Sequence, residues 1–371
     1  MTAAAAPVPG SATGGSGHLA GLDGLRGVAV GAVLLAHLGE FVVPDADGWL
    51  VPGGFLGVDV FFVLSGFLIT GLLIDRVQRR GEVRVGAFWR RRLTRLLPAL
   101  AVFAVGYLLV AGAAFDDPLG DRARTLAWSF ALVSNWQLSF GVQPPLDLLH
   151  LWTLSVEAQF YLVAPLVALA VVRFRLSLRA VAVGVVAAVA ASAGLRALLW
   201  SWWEDPGWVY TRTDARADAI LIGVLLAVLH RSAPHLVARL GRLAPLGVAG
   251  LLVCAAVARP GAGWLFWGGF TLVAALAALV VAGTAAAPGA VDAVLRWGPL
   301  RLVGRASYSL YLWHLPIYFW CLRWSGEPDP WFGGLGSTPV GLCLVCLVLT
   351  AAVGTVSYLA VERPFLRSRP V

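Results

Sequence analysis

Apolar runs of bilayer-crossing length recur along this chain, and most contain few charges. "FLGVDVFFVLSGFLITGLLI" (55–74) is representative, with one carboxylate, Asp59, among its residues. A helix rising 1.5 Å per residue needs about 20 residues to cross a hydrocarbon core about 30 Å thick. Runs of this kind lie near 25–43, 55–74, 93–114, 148–171, 179–200, 216–230, 243–259, 264–284, 301–323 and 338–360. The 371 residues are 59% hydrophobic and 13% charged, against about a quarter charged in soluble domains. A water-soluble globule is excluded, because it would leave too much apolar surface in water. The expected fold class is all-α: a polytopic membrane protein with about ten transmembrane helices in one bundle.

Charge gives the orientation. The net charge is +8 and every basic residue is an arginine. Arg76, Arg79, Arg80, Arg84, the run "RRRLTR", Arg173, Arg175 and Arg179 fall on one side, as do Arg231, Arg239, Arg242, Arg296, Arg301 and Arg305. The acidic loops "PDADG", "FDDPLGD", "WEDPG" and "GEPDP" fall on the other, with Trp200, Trp202, Trp203, Trp208 and Trp264. Positive loops stay cytoplasmic and tryptophans gather at interfaces. Both termini are therefore expected in the cytoplasm, with the bundle in a bacterial inner membrane.

Residues 1–20 have neither a basic nor an apolar signal-peptide region and read as a disordered cytoplasmic tail. Residues 21–366 form the transmembrane domain, and 367–371 a short cytoplasmic tail. "TLAWSFALVSNWQLSF" (125–140) is too short to span and is expected as a re-entrant or interfacial element on the outer side. With no soluble basic face, no nucleic-acid partner is expected. Cys343 and Cys346 form a CxxC inside an apolar run and read as buried filler, so no metal is assigned.

Ionisable residues inside a span are costly and mark functional paths. Arg26 opens the first span and His37 follows about 16 Å deeper, near mid-membrane. Arg26 alone also reads as an anchor paired with Asp23. In "HLWTLSVEAQFY", His150, Leu154, Glu157 and Tyr161 share one helical face. Taking His150 as the outer boundary puts Glu157 about 10 Å inside, level with His37. A carboxylate meeting an imidazole there would fix its tautomer and raise its basicity. Equally, the two could form a structural pair holding helices together.

Arg91, Arg92 and Arg95, in "FWRRRLTRLLPAL", give a cationic helix face suited to phosphate or to simple anchoring. Arg216 and Asp218 sit at the outer entrance of the sixth run, and Asp59 a turn inside the outer face. His314 lies about 13 Å beyond Arg305 and is open to two readings: a functional midplane histidine, or one satisfying backbone groups freed by Pro316.

Taken together these motifs resemble the acyltransferase-3 family of integral membrane acyltransferases. The matching elements are Arg26-x10-His37, "GVDVFFVLSGFLIT", Arg91-Arg92-x-x-Arg95, "HLWTLSVEAQFYL", "RADAILIG", "GRASYSLYLWHLPI" and "VERP". They follow in the expected order over most of residues 21–366. The usual "SVEEQF" is "SVEAQF" here, so Glu157 has no second acidic neighbour. Some relatives carry a further extracytoplasmic hydrolase-like domain, which is not expected after Val371.

The resemblance implies an acyl-CoA donor, acetyl-CoA above others, on the cytoplasmic side. The acceptor implied is a hydroxyl of an extracytoplasmic or lipid-linked glycan or another metabolite. On this reading Arg26, Arg91, Arg92, Arg95 and Arg305 hold the donor, and His37 is the base with Glu157 as its partner. Asp59, His150, Trp152, Arg216, Asp218 and His314 contact the acceptor. A transporter or flippase of a polar small molecule or lipid-linked sugar is the rival reading of the same intramembrane charges. It explains poorly why arginines should crowd one mouth and aromatic residues the other.

Overall fold

The computed structural model describes residues 20–43, 51–115, 117–325 and 338–367. The expected tails fall almost wholly outside these residues. Sixteen α-helices follow in order: α1 (Ala20–His37), α2 (Gly57–Arg80), α3 (Val85–Phe115), α4 (Leu119–Phe130), α5 (Trp152–Arg173), α6 (Leu178–Trp203), α7 (Pro206–Tyr210) and α8 (Thr213–Ser232). Then come α9 (Pro234–Gly241), α10 (Ala244–Val257), α11 (Phe270–Ala286), α12 (Ala290–Leu295), α13 (Gly298–Arg305), α14 (Ser307–Ser325), α15 (Pro339–Ser357) and α16 (Arg363–Arg367). No strand occurs among the described residues.

Among the described residues seven helices are long and apolar enough to cross a membrane, or eight if the pair α9–α10, bent by 55°, counts as one span. The other two expected runs are also helical. α8 and α14 fail the apolar test because they carry polar side chains turned inward. The count of about ten is thus approximate, and the all-α bundle is as expected. The 125–140 segment does not span: α4 ends at Phe130 and two 3-10 turns follow, Ser134–Trp136 and Leu138–Phe140.

Lipid tails give no hydrophobic drive between helices, so close backbone approach does that work. A β-carbon on Gly24 would stand 1.7 Å from the Leu295 carbonyl oxygen, and one on Gly304 1.7 Å from that of Asp23. Only hydrogen fits at these crossings of α1 with α12 and α13. Outward faces stay apolar: Val105, Leu109, Val183 and Val348 are all exposed, as a lipid-facing surface requires.

Four buried cores form among the described residues, and two of them bear on the site. One gathers Val33, Phe62, Val63, Val156, Ile220 and Val281 from α1, α2, α5, α8 and α11. The other gathers Phe103, Tyr107, Leu312, Tyr318 and Cys346 from α3, α14 and α15. α1 and α14 contribute to the seam between them, and the candidate site lies there.

Candidate active site

Pro316 lies inside α14. Proline has no N–H, so the carbonyl four residues earlier, on Leu312, loses its helical donor. His150 replaces it, with Nε2 3.1 Å from the Leu312 oxygen. The kink is thus served by His150, and His314 is left for another partner.

His314 is fully buried, with Nδ1 2.6 Å from the Tyr311 carbonyl oxygen and Nε2 2.8 Å from Nδ1 of His37. A carbonyl only accepts, so His314 Nδ1 carries the proton. Neutral His314 then presents a bare Nε2, which accepts the proton on His37 Nδ1. Nε2 of His37 is left with its lone pair and no hydrogen bond among the described residues. His37 itself is only half-buried. Directly after it the chain makes a π-helical turn, Leu38–Val42, a distortion that often marks functional sites. The His314 ring lies 5.1 Å from both the His37 and the His150 rings.

Glu157 is elsewhere. It accepts hydrogen bonds from Ser65 and Tyr161, and no bond joins it to His37 among the described residues. The expected pairing fails for a geometric reason. His150 is 2% exposed and packs at the level of His37 and His314, so it does not mark the outer boundary. The chain is a 3-10 helix up to Leu151 and α-helical from Trp152. Seven residues further on, Glu157 stands about 10 Å along the helix from His150, toward the arginines.

There Glu157 joins the arginines. Arg26 feels the charges of Arg95, Glu157 and Glu362. Arg92 lies 5.6 Å from the Tyr161 and Phe88 rings. The Nε atoms of Arg26 and Arg95 are buried without a hydrogen-bond partner. Arg91 is half-buried on the same helical turn. Arg305 is exposed and pairs with Asp23 at 3.2 Å, tying α13 to the start of α1. A cavity of about 50 Å³ runs between Arg26 and Glu157 below and Thr153 and Tyr311 above. Thr153 donates to the Tyr311 hydroxyl at 3.0 Å, so this cavity ends against the histidine layer.

The residues expected at an outer mouth are instead interior. Asp59 and Arg216 pair at 2.8 Å, Asp218 pairs with Arg196 at 2.8 Å, and all four are fully buried. Thr271 also donates to Asp218, at 2.6 Å. Arg216 lies 3.6 Å from the centre of the Phe270 ring, so the pairs are sealed in aromatic packing. Trp152 is buried against Phe62 and Tyr210. Depth along a helix was readable from spacing, but the azimuth that turns these groups inward was not.

Sequence reasoning missed Arg196, Ser65, Tyr161 as a Glu157 ligand, Tyr311 and Glu362. Arg196 had a signal, a lone charge in "ASAGLRALLW". Glu362, the acid of "VERP", is buried and accepts from Ser309 at 3.1 Å.

The fold and site define a polytopic helical membrane protein with a layer of three histidines beside a cluster of arginines. Residues 19–357 match the model of the acyltransferase domain family, and the chain belongs to that family. It is 32% identical over 365 residues to the O-acetyltransferase OatA of Staphylococcus aureus strain NCTC 8325 / PS 47, and equally to that of strain MW2. Each alignment covers 94% of this chain and 57% of the relative, so the chain spans little more than half the length of these relatives. No solved structure matches it.

Proposed function

We propose that this chain is a membrane O-acetyltransferase that takes an acetyl group from acyl-CoA on the cytoplasmic side. The acceptor is a hydroxyl presented from outside, on an extracytoplasmic or lipid-linked glycan or a comparable metabolite. Both termini are cytoplasmic on this reading, and the membrane is the bacterial inner membrane.

One observation carries the proposal: the chain of hydrogen bonds from the Tyr311 carbonyl through His314 to His37. It leaves Nε2 of His37 as a lone-pair base at mid-depth. Arg26, Arg91, Arg92 and Arg95 suit the phosphates of the donor, since guanidinium forks bind phosphate bidentately. Their buried, unpartnered Nε atoms, at Arg26 and Arg95, call for an anion there. Glu157 does not orient the base. It holds Tyr161, over which Arg92 lies, and so positions the arginine face.

The pantetheine arm enters between Arg26 and Tyr311, where the space of about 50 Å³ must widen by side-chain movement to admit it, and brings the thioester below His37. His37 Nε2 removes the proton of the acceptor hydroxyl, and the oxygen attacks the thioester carbon. The carbon–sulfur bond breaks, and the departing thiolate takes the proton from His37. Only the acyl group changes sides, so no charged nucleotide enters lipid.

His37→Ala should abolish acetyl transfer while the protein still folds and inserts. It should also keep its thermal stabilisation by acetyl-CoA, worth about 2.7 kcal/mol at a hundredfold excess over Kd. Transfer retained by His37→Ala would remove the imidazole from the chemistry. A transporter would show no such stabilisation by acetyl-CoA.

A further inference from the structure

On the outer side a cleft of about 410 Å³ opens where three elements meet: the start of α4, the segment 143–147, and the end of α14. Its volume falls in the range of about 300–1,000 Å³ typical of ligand pockets. None of its residues figured among those expected to bind the acceptor.

Two features make it a built site. Trp320 lines the cleft, is 7% exposed, and its indole N–H has no hydrogen-bond partner among the described residues. Its ring stacks with Tyr107 at 5.9 Å and with Phe115 at 6.4 Å. Arg122 also lines the cleft, and its Nε is buried and unpartnered. Buried donors are normally satisfied, so this pair leaves two hydrogen bonds for acceptor oxygens to fill when the cleft wall opens to a ligand.

Charge narrows the ligand. Two carboxylates, Asp121 and Asp147, face two guanidiniums, Arg122 and Arg323. Asp117 bridges the guanidiniums at 3.0 and 2.7 Å, and Asp147 accepts from Tyr107 at 2.7 Å. Every charged group of the lining already has a partner, Asp121 pairing with Arg124 at 2.8 Å, so donors and acceptors are interleaved. An ion would have to break these pairs, whereas hydroxyls, which donate and accept, can join them.

A row of packed rings joins the cleft to the histidine layer. Phe319 lines the cleft and lies 5.4 Å from the Phe41 ring, which lies 5.9 Å from the His37 ring. Resting on the reading of His37 as the base, we infer that this cleft is the acceptor subsite and takes a neutral sugar. The sugar hydroxyl to be acylated passes Phe41 and Phe319 to reach His37.

Gln143 is exposed on the cleft rim, and the four native cysteines are buried, so Gln143→Cys gives a single reactive thiol. Intact cells making this variant are treated with a bulky membrane-impermeant maleimide. O-acetyl groups released from envelope glycans by mild alkali are then measured. The adduct should lower O-acetylation at least about tenfold against the unlabelled variant, while the purified adduct keeps its stabilisation by acetyl-CoA. Trp320→Phe, which preserves both ring contacts, should weaken acceptor use about three- to tenfold without changing the KM for acetyl-CoA. Wild-type O-acetylation by the adduct overturns the inference, as does failure of intact cells to take up label. If unmodified protein shows no stabilisation by acetyl-CoA, the donor reading fails instead. Saturation-transfer NMR with maltotriose then decides the cleft: contact in wild type that is lost in the adduct upholds it, and no contact overturns it.

Discussion

His314→Phe isolates the step on which the chemistry rests. The substitution keeps a buried aromatic ring of similar size but removes the acceptor 2.8 Å from His37 Nδ1. With that acceptor gone, the productive tautomer of His37 leaves its Nδ1–H without a partner in a partly buried place. An unmet donor of this kind costs about 1–3 kcal/mol, which the ring avoids by moving the proton to Nε2 or by turning. Either escape takes away the base. Each 1.36 kcal/mol is a factor of ten in rate, so kcat should fall about 5- to 150-fold. Arg26 lies about 16 Å along α1 from His37, so the KM for acetyl-CoA should hold. The assay is steady-state acetyl transfer in nanodiscs, with acetyl-CoA and acceptor varied separately. His314→Gln, whose amide can donate toward Tyr311 and accept from His37, should recover most of the loss. Wild-type kcat in His314→Phe, or a change confined to the KM for acetyl-CoA, would refute the tautomer argument.

Other consequences can be checked in the same preparation. Glu157→Gln should raise the KM for acetyl-CoA about fivefold or more with a smaller loss in kcat, because Glu157 serves the arginine mouth; kinetics that lose kcat alone would return it to the base. Arg216→Met should lower stability by about 3–5 kcal/mol, since breaking a buried ion pair strands Asp59, whereas joint replacement of Arg216 and Asp59 by apolar residues should recover much of it; thermal unfolding in detergent reads both. Gly24→Ala or Gly304→Ala should abolish recovery of folded protein on size exclusion, as the added carbon would stand 1.7 Å from a backbone oxygen. Arg92→Lys keeps the charge but not the planar fork over Tyr161, and should weaken acetyl-CoA stabilisation measurably in a thermal-shift series.

Much of this was legible from the residues, for identifiable reasons. Span positions follow from hydropathy, because lipid tolerates no unsatisfied backbone. The nearness of Arg26 to Arg95 follows from counting residues inward from one interface. What failed was a boundary. The apolar run at 148–171 gives no sign that its start is a 3-10 helix already deep in the bundle, so every depth measured from His150 was displaced. Azimuth failed too. Asp59, Arg216 and Asp218 have the spacing of an entrance, but α2, α6, α8 and α11 turn them toward one another. Such pairing depends on which helices are neighbours, and that is fixed by small-residue crossings such as Gly66 against Ile220 and Gly223 against Val63. Neither the glycines nor the lone Arg196 announce their partners in the linear order.

The layering of charge bears on why a histidine stands at the centre. Arginines and carboxylates gather around Arg26 and Glu157, ion pairs line the cleft at Arg122 and Arg323, and the layer between them holds His37, His150 and His314. A permanent charge at mid-depth costs several kcal/mol unless paired, and the paired ones here, Asp59 with Arg216, are locked in full burial. Locked charges cannot exchange protons with a substrate. Imidazole can be neutral at rest and take a proton only while the acyl group is in transit. Each resting neutral ring in this layer has a carbonyl or another imidazole fixing its proton: Leu312 for His150, Tyr311 for His314, and His314 for His37. The proton order is therefore set by backbone geometry, with no carboxylate bonded to the rings. That arrangement suits a base that must work far from water, and it accounts for Glu157 being free to serve the donor mouth.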